Sequence, residues 1–373
     1  MKERILITGG AGFIGSHLAK KLTASGYSVR VLDLFTPQVH GNDGFQKSLP
    51  SFSRDIEVMH GDVRSPKDIR SALHHMDVVY HLAASVGVGQ SMYEVHSYTS
   101  HNNLGTANLL QQLIARPIQK LIVASSMSLY GEGSYVSSDG KIHHSIRRNF
   151  AEVKQRKWEP QLEDGEPLVP IMTPESKAPD LSSIYALSKY DQERMCHTIG
   201  QAYNIPTVSL RFFNVYGRGQ SLSNPYTGVM AIFASRLLNG STPTIFEDGN
   251  QMRDFVHVSD VVEACQLALE IPEAAGEVFN IGSGSHFRIQ EIARAMAKMI
   301  GVSLEPEITE HYRVGDIRHC FADISKAKRL LGYRPKVNLT EGLADLTQWL
   351  AEQTAIDHTK RARHELYSRG LAL

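Results

Sequence analysis

The sequence predicts an α/β protein: a doubly wound parallel sheet covered by helices, followed by a smaller mixed α/β carboxy-terminal domain. Two observations predict it. Strand-like and helix-like segments alternate to about residue 217, the pattern of a parallel sheet whose crossovers are helices. At the amino terminus, an apolar strand at residues 3–8 runs straight into Gly9-Gly10-Ala11-Gly12-Phe13-Ile14-Gly15. Ile14, Leu18 and Leu22 then recur at helical spacing until Gly26, so strand, glycine turn and helix follow without interruption.

The glycines satisfy G-x-G-x-x-G (Gly10, Gly12, Gly15) and also the looser G-x-x-G-x-x-G (Gly9, Gly12, Gly15). Bare backbone admits a pyrophosphate, and the helix N-terminus stabilises its charge, which makes a Rossmann-type dinucleotide cradle. The next strand, residues 28–33, ends in Asp33, 21 positions after Gly12. A carboxylate there accepts hydrogen bonds from ribose hydroxyls and repels a 2′-phosphate, so NAD is expected over NADP.

Further strands fit residues 56–61, 77–83, 120–126 and 207–214, and helices fit 66–75, 101–116 and 184–203. Beyond Gly217 the elements shorten, with helices near 226–239, from 260, and at 289–300. The expected organisation is a dinucleotide domain at 1–216, a substrate domain at 217–350 with some elements interleaved, and a tail at 351–373. The basic stretch 358–370 reads as a solvated helix face.

Two side chains carry the chemistry. Tyr185 and Lys189 lie four residues apart, hence on one helix face. An ammonium over the phenol favours the phenolate and makes Tyr185 a general base for an alcohol. The strand at 120–126 ends in Ser125-Ser126, and ligands of open α/β sheets sit at strand ends. Ser126 orienting a hydroxyl, Tyr185 taking its proton and hydride leaving to NAD describe alcohol oxidation.

With these residues the chain resembles the extended short-chain dehydrogenase/reductases of the NAD-dependent nucleotide-sugar epimerase/dehydratase family. The resemblance spans roughly residues 3–350. It rests on T-G-G-A-G-F-I-G (8–15), G-D-V-R (61–64), H-L-A-A (81–84), S-S-M-S-L-Y-G (125–131), Y-A-L-S-K (185–189), R-F-F-N-V-Y-G (211–217) and R-D-F-V-H-V-S-D (253–260). It implies catalysis by Ser126, Tyr185 and Lys189. Cofactor contacts are implied for Gly9, Gly12, Phe13, Ile14, Gly15, Asp33, Asp62, Val63, Leu82, Ala83, Ala84, Asn102, Tyr185, Lys189 and Phe212. Substrate contacts are implied for Ser126, Ser128, Asn214, Arg253, Arg313 and Asp316. The implied substrate is a dTDP- or UDP-linked sugar, and the implied assembly a homodimer.

Composition fits that class. At 373 residues and 42% hydrophobic content the chain can bury a core. Lys plus Arg balance Asp plus Glu at 39 each, so no bulk charge calls for nucleic acid or an acidic membrane. Three scattered cysteines, Cys196, Cys265 and Cys320, suggest a reducing compartment without a disulfide framework. No apolar run approaches the roughly 20 residues of a membrane span, and the apolar start meets glycine too soon for a signal peptide. A cytoplasmic enzyme is expected.

Between Ser126 and Tyr185 lies a polar insertion, about residues 132–175, longer than the family norm. It carries His143, His144, Arg147, Arg148 and Trp158 but no cysteine, so no zinc site is expected. A lid, a partner surface or a solvated ornament are the readings open to it. The family's dehydratases and decarboxylases keep an acidic residue just after the strand-end Ser, where this chain has Met127-Ser128. Neither side chain is a competent acid at that step. The expectation is a 4-epimerase, most similar to the dTDP-L-rhamnose 4-epimerase-type branch. A dehydrogenase or 4-ketosugar reductase, and a non-enzymatic NAD-sensing scaffold, are the alternatives.

Overall fold

A computed structural model describes residues 2–42, 44–48 and 52–372. Its central sheet has seven strands: β1 (Arg4–Thr8), β2 (Ser28–Asp33), β3 (Ile56–His60), β4 (Val78–His81), β5 (Lys120–Ser126), β6 (Thr207–Phe212) and β7 (Val278–Ile281). Their spatial order is β7-β6-β5-β4-β1-β2-β3, every pairing parallel. The winding reverses between β1 and β4, and a crevice opens there beyond the carboxyl ends of the strands.

The helices used below are α1 (Phe13–Ala24), α2 (Pro66–Ala72), α3 (Gly105–Ala115), α4 (Ile184–Ala202), α5 (Val229–Leu238), α6 (Val258–Glu270), α7 (Ile289–Ile300), α8 (Leu339–Leu350) and α9 (Thr359–Ser368). Leu18 and Leu22 of α1 and Val261 and Cys265 of α6 share one core with Ile5 and Ile7. Ile69 of α2, Leu109 and Leu113 of α3 and Cys196 of α4 share another with Leu6 and Val79. Both sheet faces are therefore covered, which is why β1 is apolar at consecutive positions rather than alternating. A third core, with Phe233, Met296, Leu343 and Leu346, joins α5, α7 and α8.

The structure differs from the sequence reading in several places. The expected strand at 207–214 breaks after Phe212. Phe213 N–H still donates to Ile281 O, but Asn214 N–H turns to Asp254 O, and Asn214–Tyr216 pairs with Phe255–His257. The expected helix at 101–116 starts as a wider π turn, Thr99–Leu104. Strand β7 was not foreseen, because Asn280 interrupts its apolar run. The Asn280 amide is buried and satisfied by Thr173 O, Asp323 O and the Tyr130 hydroxyl. The tail forms a helix whose basic face is solvated, with Lys360, Arg361 and His364 exposed, while its other face packs on the body through the buried Ala362 and Leu366 of α9.

The insertion forms a small antiparallel sheet, Ser134–Val136 between Ile142–His143 and Val169–Ile171. It is tied to the body by ions, not by apolar packing alone. Arg148 donates to Glu132, to Glu247 at 2.6 Å and to Asp316 O at 2.7 Å. Arg318, fully buried, reaches Glu159, Glu247 and Asp248. Among the described residues, no group of three or more His, Cys, Asp or Glu could hold a metal ion, and no helix is long and apolar enough to cross a membrane.

Candidate active site

A cavity of about 550 Å³ occupies the crevice at the strand ends. The glycine turn forms its floor. Gly9 has φ +69°, and a Cβ there would stand 2.7 Å from Ala83 N; a Cβ on Gly15 would stand 2.5 Å from Gly9 O. Only glycine lets β1, the turn and β4 approach this closely. The N-terminus of α1, capped at Gly12, faces the same cavity. This cradle and its donors fit a dinucleotide pyrophosphate. Asp33 is fixed at the end of β2, its two oxygens accepting from Ala11 N and Phe35 N at 2.9 Å each.

That carboxylate sets an expected result. NAD should bind at least tenfold better than NADP in titrations of cofactor-free protein, and Asp33→Ala should narrow the gap. Equal affinities in the unaltered chain would remove Asp33 from the ribose site.

Gly9, Gly12, Phe13, Ile14, Gly15, Asp33, Asp62, Val63, Leu82, Ala83, Ala84, Tyr185, Lys189 and Phe212 all line this cavity. Asn102 does not. It is fully buried behind the wall, where its Oδ1 accepts from Ser85 N at 2.7 Å and its Nδ2 donates to Ser85 O and Ser188 Oγ. Its place is to brace Ser85, which does line the cavity. Sequence reading missed Gln38 and Gln90, which also line it and donate amide to amide.

Ser183 caps α4, its hydroxyl accepting from Ala186 N at 3.1 Å, and Tyr185 N–H donates to Ser91 Oγ. These bonds fix the first turn of the helix and with it the phenol. Ser126 Oγ lies 2.9 Å from Ser128 Oγ. Burial pushes the Tyr185 phenol above its ordinary value, and the Ser126 hydroxyl opposes this. The expected lowering by Lys189 is not what the fold provides. Lys189 Nζ donates instead to Gln192 Oε1 at 2.8 Å, and burial brings the ammonium down to about 8.

Gln192 Nε2 in turn donates to Thr106 Oγ1 at 2.8 Å. His81 sits between Thr8 and Thr106 at 2.8 and 2.9 Å, and burial brings it down to about 3, so it is neutral. A chain of neutral polar groups therefore holds Lys189 from below. Gln192, three residues beyond Lys189, was readable as a neighbour on the same face.

A second cavity, about 390 Å³, shares Ser126, Tyr185, Phe212, Phe213 and Asn214 with the first. Ser128, Arg253, Arg313 and Asp316 line it as well. Asn214 Nδ2 donates to Asp254 O at 3.0 Å. Arg253 donates to the carbonyls of Met252, Ile317 and Arg318. Arg313 grips Asp316 in a fork at 2.7 and 3.1 Å and stacks on Phe246. Among the described residues Asp316 is the one carboxylate lining this cavity.

A glycine-turn dinucleotide cleft that meets a side cavity at Ser126 and Tyr185, with Lys189 lining the cleft one helical turn on, is the arrangement of a short-chain dehydrogenase/reductase. The chain belongs to the NAD dependent epimerase/dehydratase family, whose model matches residues 5–155 and 163–282. It is an enzyme, with NAD as cofactor. It is 32% identical over 355 residues to a dTDP-L-rhamnose 4-epimerase of Burkholderia thailandensis, covering 94% of this chain and 96% of the relative. A UDP-glucose 4-epimerase of Thermotoga maritima, solved with UDP-glucose, superposes with TM-score 0.76 at 30% identity, covering 94% of this chain and 99% of that one. A UDP-glucuronic acid 4-epimerase of Bacillus cereus, solved with UDP-glucuronic acid and NAD, gives TM-score 0.74 at 30% identity, with coverages of 94% and 99%.

Proposed function

We propose that this chain is an NAD-dependent nucleotide-sugar 4-epimerase acting through a bound 4-ketose, with Ser126, Tyr185 and Lys189 as its catalytic set. The observation that carries the reading is the chemistry of the wall next to Ser126. Met127 and Ser128 are buried there, and the cavity's one carboxylate, Asp316, is engaged by Arg313. Among the described residues, that wall has no free carboxyl of the kind expected for dehydration or decarboxylation. Oxidation and reduction at a single carbon remain.

NAD, which the Gly9–Gly15 turn and Asp33 would hold, would supply a reversible hydride acceptor for C4. Tyr185 takes the O4 proton and gives it back, while Ser126 orients the hydroxyl. Lys189, held by Gln192, supplies positive charge one helical turn from the phenol and donors for a ribose. Arg253 and Arg313 hold the diphosphate, Asp316 accepts from the nucleoside, and Asn214 and Ser128 border the sugar. Anchoring at the diphosphate lets the ketose turn over and present its other face without leaving. A dTDP- or UDP-linked substrate and a homodimer follow from the family resemblance.

The test is incubation with UDP-, dTDP- and GDP-sugars in deuterated water, read by NMR and mass spectrometry. The expected product has the substrate's mass, an inverted C4 and no carbon-bound deuterium. Loss of water, carbon-bound deuterium or stoichiometric NADH would overturn the epimerase. The last of these would favour a dehydrogenase or ketosugar reductase, and no turnover at all a cofactor-sensing scaffold.

A further inference from the structure

We propose that the carboxy-terminal helix α9 is part of the substrate site, and that Lys360 and Arg363 on it bind the nucleoside diphosphate. The inference rests on the nucleotide-sugar reading above. Lys360, Ala362, Arg363 and Leu366 line the second cavity beside Arg253 and Arg313.

The helix is held there from several sides. At its start, Arg236 donates to Asp357 and, at 2.7 Å, to Thr359 Oγ1. Leu366 is buried and packs on Gly89, where a Cβ would stand 3.3 Å from its Cδ2. Beyond the helix, Arg369 lies over the Tyr93 ring. Val314 N–H donates to Leu371 O at 2.9 Å, and Arg313 forms a β-bridge with Ala372. The tail thus touches the loop that carries Arg313 and Asp316, and its position depends on the same backbone.

The state of the cavity's cations points to the ligand. Arg236, Arg253, Arg313, Lys360 and Arg363 all line it. Arg236 is engaged by Thr242 O, Asp357 and Thr359, Arg253 by backbone carbonyls, and Arg313 by Asp316. Lys360 makes no hydrogen bond or ion pair among the described residues, and Arg363 has only Glu307 at 4.0 Å. Lys360 and Arg363 are therefore the least engaged of the lining cations, and they add positive charge beside Arg253 and Arg313. Both side chains are long enough for their heads to reach a phosphate in the cavity that they line.

The test uses the full-length, NAD-loaded protein and the double variant Lys360→Ala, Arg363→Ala. Alanine keeps the helix, and neither side chain is in a core. UDP and dTDP should bind about tenfold more weakly to the variant in calorimetry, with the difference shrinking at high salt. Uridine, which has no phosphate, should lose little. KM for the sugar nucleotide should rise by a similar factor, with a far smaller change in kcat. Unchanged affinity for UDP and dTDP, or an equal loss for uridine, would overturn the assignment while leaving the epimerase reading intact. An unaltered chain that binds neither nucleotide would overturn both.

Discussion

Tyr185→Phe should lower kcat/KM by roughly 10²- to 10⁴-fold, the span of a general acid–base group. The ring is buried and packs edge-on against Tyr98, with centroids 6.4 Å apart, so phenylalanine preserves the packing and removes only the hydroxyl. Ser183 and Ser91 bond the backbone of the turn, not the phenol, and the helix should keep its place. NAD and UDP affinities, measured by titration, should stay close to those of the unaltered protein. Turnover near the original rate would put the base elsewhere. Because C4 must first give up a hydride, epimerisation should depend on the oxidised cofactor, and a preparation filled with NADH should be inactive until a ketose is supplied.

Arg318→Leu should be the most damaging single change to stability. Arg318 has no exposed surface, and Nη1 alone bonds Glu247 at 2.9 Å and Asp248 at 2.6 Å. Glu247 is itself fully buried. Leucine would leave Asp248 without its cation and the buried Glu247 with Arg148 alone. Breaking a buried pair by removing one partner costs about 3–5 kcal/mol, and the loss should appear as a lower urea midpoint and a lower Tm. Arg294→Leu breaks only an exposed pair with Glu305 and should cost at most about 1 kcal/mol. A midpoint for Arg318→Leu no lower than that of Arg294→Leu would show that the network is not a structural anchor. Arg318 is also two residues from Asp316, whose carbonyl accepts from Arg148. UDP should therefore bind less tightly to the Arg318 variant even below its melting range.

The insertion gains a physical account from the same contacts. Its polar sequence suited a lid, a partner surface or an ornament equally. Glu132, Arg148 and Glu159 instead meet Glu247 and Arg318, which lie about one hundred residues or more away in the chain. Each of those residues, read singly in the sequence, is a surface charge. Only the fold reveals that Arg148 and Arg318 are buried and shared.

By itself the sequence determined whatever depends on neighbouring residues. The glycine turn, Asp33 at a strand end, Ser126 at another and the Tyr185–Lys189 turn of α4 are set on their own elements by backbone periodicity, and the family resemblance implied that these elements share one crevice. Tertiary structure decided what depends on distant partners. It moved Asn102 behind the cavity wall because Ser85 and Ser188 take its amide. It turned Lys189 toward Gln192, and it raised the phenol, since desolvation is a property of everything packed around a group. It also carried β7 into the sheet and α9 against the second cavity. An amphipathic helix or a short apolar run specifies that a face must be covered, while the surface that covers it is fixed only when the whole chain has packed.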